Sequence, residues 1–273
     1  MGTALTFGAA TTDRVDIGAG SSLADLDPFT IFAWVFPTGT TANRAILGSR
    51  GQGAASVRQL RLNGSGGSSG NLELRVTRAT TSTSYITNTR PMNVSNTWVC
   101  VMATFDSAAS PTGRIYTGTL AALLAEATYG TSTAGAGAVS AESSASHTWG
   151  NRDVGGFASA FQGRIACGLY LNRVLTLGEG LNLQFFPRLL ANTKNFVLLG
   201  RNGVGTQPDL SGNGNNGTVT GATASNGPPL GWPFFRSAAE ASSVIAAAPA
   251  GVTYPQLERY LRGLNRGLAM GSH

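Results

Sequence analysis

The chain has 273 residues, of which 37 are glycine and only 12% are charged, and its formal net charge of +6 comes from 19 basic against 13 acidic side chains. So little charge among so much Gly, Ser, Thr and Ala excludes a helical bundle and suits many short strands joined by turns. The basic excess is nearly all arginine, with Lys194 the single lysine, and it is scattered rather than clustered, so no specific nucleic-acid partner is expected; no apolar run reaches membrane-spanning length, so no membrane partner is expected either.

The length accommodates one large β domain plus an appendage. Residues 3–7 and 15–17 alternate apolar with polar side chains, as half-buried strands do, whereas residues 29–36 (FTIFAWVF) are apolar at both parities, the mark of a strand covered on both faces. Residues 45–50 form the next strand. Leu60 and Leu62, then Leu72, Leu74 and Val76, form two period-2 runs around the Gly/Ser-rich connection 63–70, a hairpin. Residues 85–87 give a strand, residues 98–105 (WVCVMATF) a second doubly covered one, and residues 114–116 another.

Residues 128–146 contain almost nothing to bury and read as a long loop or exposed arm. From Phe161 onward, Gly163, Ile165, Cys167, Leu169 and Leu171 alternate and are expected on one face. Thr176 and Glu179 stand at capping-box spacing before a short helix that stops near Pro187. Residues 195–199 and 218–220 are the last strands. Cys100 and Cys167 lie in apolar strand-like runs and are expected as buried free thiols, with no CxxC pair and no histidine near enough for zinc. His147, expected in a loop, and His273 have neither metal nor triad spacing.

After residue 227 the pattern changes. Residues 228–273 read as a Pro/Ala-rich arm with a short basic amphipathic helix over 253–269, in which Leu257, Leu261, Leu264 and Leu268 share a face and Arg259, Arg262 and Arg266 fall largely on another. Gly263 and Gly267 weaken that helix by about 1 kcal/mol each, so it needs a partner surface. Tyr254 completes the expected docking set.

The segments 4–8, 15–18, 29–39, 97–106 and 161–179, with the loop 209–218 (DLSGNGNNGT), together resemble the laminin-G-like, concanavalin-A-like lectin-fold domains. The resemblance spans about residues 3–225 and implies an all-β, two-sheet antiparallel jelly-roll sandwich over residues 1–227, in a family made mainly of binding modules. In the commoner order this loop precedes the first strand; here it follows all the others, which implies that the C-terminal strand closes the sandwich beside the N-terminal one. Family members often hold calcium with an aspartate, asparagine carbonyls and backbone oxygens at the rim. By resemblance Asp209, with Asn213 and Asn215, is therefore a calcium candidate; the residues themselves read as a turn held by Asx hydrogen bonds, with no metal.

Related folds include glycosidases, which need two converging carboxylates. Glu73 is alone on its strand and Glu126, Glu142 and Glu179 lie in separate contexts, so no enzyme is expected. Trp34 and Trp98 read as core. Trp149 and Trp232, in loop-like contexts, are the candidate exposed aromatics for a ligand, alongside Asp209, Asn213 and Asn215. Two functional expectations follow. The first is a non-enzymatic structural protein of a phage virion, a capsid decoration or head-fibre type without a signal peptide, assembled in the host cytoplasm and docking through its arm onto shell proteins and copies of itself. The alternative is a carbohydrate-binding module that meets surface glycans with its rim loops.

Overall fold

The computed structural model describes residues 2–8, 12–40, 43–50, 56–63, 70–94, 97–142, 146–151, 159–187 and 189–229. The strands in chain order are β1 (Thr3–Gly8), β2 (Arg14–Gly18), β3 (Phe29–Pro37), β4 (Ala45–Arg50), β5 (Ser56–Asn63), β6 (Asn71–Val76), β7 (Thr83–Thr87) and β8 (Val99–Phe105). Then come β9 (Gly113–Thr119), β10 (Ala125–Glu126), β11 (Tyr129–Thr133), β12 (His147–Trp149) and β13 (Gln162–Leu171). Helix α1 (Leu177–Phe185) is followed by β14 (Thr193–Leu198), β15 (Thr218–Thr220) and β16 (Thr223–Asn226).

Two antiparallel sheets form a sandwich, as the jelly-roll expectation requires. Sheet A has the order β10, β9, β8, β3, β13, β1, β16, with β14 also on β13; sheet B has the order β11, β7, β6, β5, β4, β12, β2, β15. The hairpin of β5 and β6 pairs Leu60 with Leu74 and Leu62 with Leu72. That register puts all four leucines in the main core between the sheets.

Every residue of β3 is buried. Phe29, Ile31, Ala33 and Val35 face the main core, while Phe32, Trp34 and Phe36 belong to a second cluster on the other side of sheet A. In β8 the same split puts Val99, Val101 and Phe105 in the main core and Cys100 and Met102 in the second cluster. Helix α1 and the segments around it cover that second face. The Trp34 indole donates to the Gln184 carbonyl at 3.0 Å. The buried Gln184 amide in turn accepts from Leu124 N at 2.8 Å and donates to the carbonyls of Thr119 and Ala122 at 2.7 and 2.8 Å. The capping box at Thr176 and Glu179 is formed by both of its bonds. Hydrogen bonding to Arg173, with the Thr176 backbone, holds the Glu179 carboxyl down to about 2.

β13 departs from the expected parity. Its register on β3 shifts between Ile165 and Cys167, so Ala166 is an extra residue and the alternation is broken. Ile165 therefore faces the main core, whereas Cys167, Leu169 and Leu171 face the second cluster. Both cysteines stand there as buried free thiols, and burial pushes Cys167 up to about 12. Residues 128–146 also depart from the loop reading. Tyr129–Thr133 adds β11 to the edge of β7, and Ala136 and Val139 bridge to Thr81 and Arg78. Backbone pairing needs no apolar side chains, which is why composition hides this strand.

The expected closure is present. Thr3 to Thr6 pair with Asn226 to Thr223, β15 pairs with β2, and Gly227 N donates to the Gly2 carbonyl at 2.8 Å. The helix expected at 253–269 lies outside the described residues.

The main core also encloses a charge pair. The Arg58 guanidinium, 5.7 Å over the Phe29 ring, binds the carboxylate of Glu142, and both residues are almost wholly buried. Arg58 Nε donates to the Leu26 carbonyl at 3.1 Å, Glu142 N donates to Asp25 Oδ1 at 2.7 Å, and the Ser49 hydroxyl donates to Glu142. His147, on the strand β12 rather than in a loop, is buried with Nε2 at 3.7 Å from the same carboxylate. Burial pushes the nearby Tyr170 phenol up to about 12, with Arg58 pulling it down.

Breaking a buried pair on one side leaves an uncompensated charge, so Glu142→Gln is expected to lose about 3–5 kcal/mol in urea denaturation, and adding Arg58→Met is expected to recover part of it. Because strand closure is complete by residue 227, a chain truncated after Pro229 is expected to melt within about 3 °C of the full chain by circular dichroism.

Candidate functional site

The loop between β14 and β15 is built by its own polar side chains turning back on the backbone. Asp209 Oδ1 accepts from Phe196 N at 3.0 Å and Ser211 N at 2.9 Å. Its Oδ2 accepts from Ser211 Oγ at 2.8 Å and Asn215 N at 3.0 Å. Asn216 Oδ1 closes the turn by accepting from Asp209 N at 2.8 Å. Gly212 and Gly214 take φ of +84° and +77°, a region glycine enters without the strain a Cβ would bring.

Asn213 Nδ2 donates to the carbonyls of Thr193 and Lys194 at 2.9 and 3.3 Å. Asn215 is buried, and its Nδ2 donates to Ser22 Oγ at 2.9 Å and the Lys194 carbonyl at 2.7 Å. Three of the expected site residues thus hold the loop to β14 and to the segment after β2.

Trp149 corrects the expectation of an exposed loop aromatic: it lies on β12 with 0% exposure. Its indole lies flat on the backbone of β13 at Gly168, where an added Cβ would stand 2.5–2.8 Å from ring atoms. The indole N–H donates at 3.0 Å to Asn195 Oδ1, and Asn195 Nδ2 donates at 2.9 Å to the Asn215 carbonyl. Trp149, Asn215 and Asp209 do come together, but as one hydrogen-bonded brace from sheet B to the loop. Trp232 and the docking set Tyr254, Leu257, Arg259, Leu261, Arg262, Leu264, Arg266 and Leu268 lie outside the described residues.

The calcium candidate does not fit Asp209. Four N–H or O–H donors are aimed at its two oxygens, so a cation there would meet donor dipoles of the wrong sign, and a hard cation wants about six to eight oxygens. Among the described residues no cluster of three His, Cys, Asp or Glu side chains is arranged to hold a metal.

The other carboxylates are engaged as well. Glu73 meets Arg61 at 2.8 Å and Ser84 Oγ at 3.0 Å, Glu126 meets Arg114 at 2.6 Å, and Glu179 meets Arg173 at 2.7 Å. With Glu142 on Arg58, every glutamate among the described residues has an arginine partner.

Beside the loop, a cleft of about 540 Å³ opens at the edge of sheet B, lined by Arg14, Asp16, Gly18, Gly20, residues 214–216, Thr218 and Thr220. None of its charged residues was singled out from sequence. The signal that marks them is the alternation itself: Arg14 and Asp16 on β2, and Thr218 and Thr220 on β15, are the polar partners of the apolar positions that identify the strands. A second cleft of about 340 Å³ lies between residues 37–40 and 92–94, and none of the described residues lining it is titratable.

With the site described, the chain can be set beside known proteins. A family model described as the concanavalin A-like lectin/glucanases superfamily matches residues 9–179. None of the curated proteins matches the chain. Among solved structures, the chain is similar to a candidate carbohydrate-binding protein from Bacteroides ovatus, with 18% identity and a TM-score of 0.55, over 83% of this chain and 60% of that one. It is also similar to the extracellular region of zebrafish Gpr126/Adgrg6 (12% identity, TM-score 0.51, 83% of this chain, 26% of that one). A third is the CBM40 of the Ruminococcus gnavus IT-sialidase (12% identity, TM-score 0.43, 66% of this chain, 96% of that one). At these identities the likeness is one of fold.

If Asp209 is a structural acceptor, Asp209→Ala is expected to lose about 1–2 kcal/mol, since four part-buried donors lose a charged partner. EDTA is expected to leave the melting temperature of the wild-type chain unchanged. A drop in EDTA, restored by calcium, would return Asp209 to the role of metal ligand.

Proposed function

The chain belongs to the concanavalin A-like lectin/glucanases superfamily, and from that premise we propose that it is a non-enzymatic binding module that meets glycans at the rim of its sandwich. The observation that carries the reading is the cleft beside the 209–218 loop: it is walled by glycine backbone and polar side chains, and the loop that shapes it is braced from beneath through Asn195 and Trp149. A site on a braced loop offers its groups at fixed positions, which lowers the ordering cost of binding.

The carboxylates support binding over hydrolysis. A glycosidase needs a general acid whose pKa is raised, beside a second carboxylate. Here the described glutamates each hold an arginine, and Glu179 is shifted the opposite way, to about 2. The likeness to a candidate carbohydrate-binding protein of Bacteroides ovatus points in the same direction.

A second reading concerns the arm. Strand pairing among the described residues closes at 226, ahead of the Pro/Ala-rich arm in sequence, and the basic amphipathic pattern of residues 253–269 within that arm suits docking onto a virion shell. Removal of residues 236–273 is expected to abolish incorporation into particles while leaving the sandwich folded; normal incorporation would end that reading.

For the glycan reading, the full chain on a glycan array is expected to retain a restricted set of saccharides and to release no reducing ends from them on incubation. Failure to retain any saccharide would overturn it, and turnover of a bound saccharide would replace binding with catalysis.

A further inference from the structure

At the edge of sheet B, β2 and β15 pair with Asp16 opposite Thr218 and Arg14 opposite Thr220. The residues between them, Val15 and Val219, turn to the main core, so the period of two turns these four polar side chains to the opposite, outer face. All four line the cleft, with Gly18 and Gly20 on one side and residues 214–216 on the other.

The charged groups are held in place. Asp16 Oδ1 accepts from Gly18 N at 2.8 Å, and Arg14 Nη1 donates to the Thr12 carbonyl at 3.2 Å. Among the described residues neither Asp16 nor Arg14 forms an ion pair, unlike the four glutamates, and Arg14 Nε is shielded from water without a hydrogen-bond partner. Both side chains are half-buried. A fixed carboxylate, a fixed guanidinium and two threonine hydroxyls therefore share one cleft with hydrogen-bonding capacity to spare.

We propose that this cleft binds an uncharged saccharide, with Asp16 accepting from adjacent hydroxyls and Arg14 and the threonines bonding to neighbouring ring or hydroxyl oxygens; this rests on the glycan-binding reading above. An ionised carboxylate only accepts, and neighbouring hydroxyls of a sugar are paired donors at the separation its two oxygens span. The opposite charges of Asp16 and Arg14 cancel within the cleft, so it has no net pull on an acidic or a basic sugar, while a neutral one can hydrogen-bond to both groups. None of the described lining residues is aromatic, and the Ile17 side chain turns into the main core, so recognition falls to hydrogen bonds, and the glycine walls let a ring approach the backbone closely.

The test is a comparison of wild type, Asp16→Asn and Thr218→Val, each as the full chain, against neutral, carboxylated and sulfated glycans on one array, with affinities followed by calorimetry. Asparagine keeps an oxygen for Gly18 N, so the fold is expected to survive, which melting checks. Neutral glycans are expected to be retained by wild type, with Asp16→Asn weakening them by on the order of tenfold or more, and Thr218→Val by less. Preference for acidic glycans, or full affinity in Asp16→Asn, would overturn this assignment while leaving the glycan-binding reading intact. Affinity lost in EDTA would replace direct acceptance by Asp16 with a cation. Retention of no glycan at all would overturn both.

Discussion

The central strands β3, β8 and β13 carry apolar side chains on both faces, and sheet A must therefore be covered twice. One cover is sheet B, across the main core. The other is α1 with the segments that flank it, and it has to be pinned, because a nine-residue helix is not stable alone. Trp34 and Gln184 do the pinning: one indole N–H and one buried amide tie the helix to β3 and to the turn after β9. The extra residue in β13 belongs to the same constraint, since it lets a single strand give Ile165 to one core and Cys167, Leu169 and Leu171 to the other.

Buried polar groups do a different job, joining elements that packing alone would leave free to slide. Arg58 and Glu142 link β5 to the segment before β12, and Asp25 and Leu26 bring in the loop before β3. A buried ion pair is a weak source of net stability, but losing one partner is costly, so its value lies in fixing one arrangement. The brace from Trp149 through Asn195 to Asn215 acts likewise on the rim loop, converting a run of glycine and asparagine into a wall of fixed shape.

This economy bears on function. Glutamates engaged by arginines, and an Asp209 saturated by donors, leave few polar groups unspent, and Arg14 and Asp16 stand out because they face a cleft and lack ion-pair partners among the described residues. The proposed site is thus defined as much by what the rest of the polar side chains are already doing as by its own composition. Its place beside the closing strand β15 follows from the late position of the 209–218 loop in the chain, which with the pairing of β15 on β2 and β16 on β1 sets that loop next to the N-terminal strands.

Beyond the closing of the ends, which the family resemblance implied, the sequence by itself determined the all-β class, the doubly covered strands, the hairpin of β5 and β6 and the capping box of α1. Each of these is written in local periodicity or in a short motif, and local patterns survive without knowledge of neighbours. The 128–146 segment was hidden because β11 is held by backbone bonds that composition does not record. Trp149 looked like a loop aromatic because its three-residue strand is too short to show a period, and only Gly168, distant in sequence, makes room for its ring. The partners of Arg58 and the convergence of Arg14, Asp16, Thr218 and Thr220 were decided by tertiary structure alone: pairing strands some 200 residues apart depends on the closure of the whole sandwich, which no local pattern encodes.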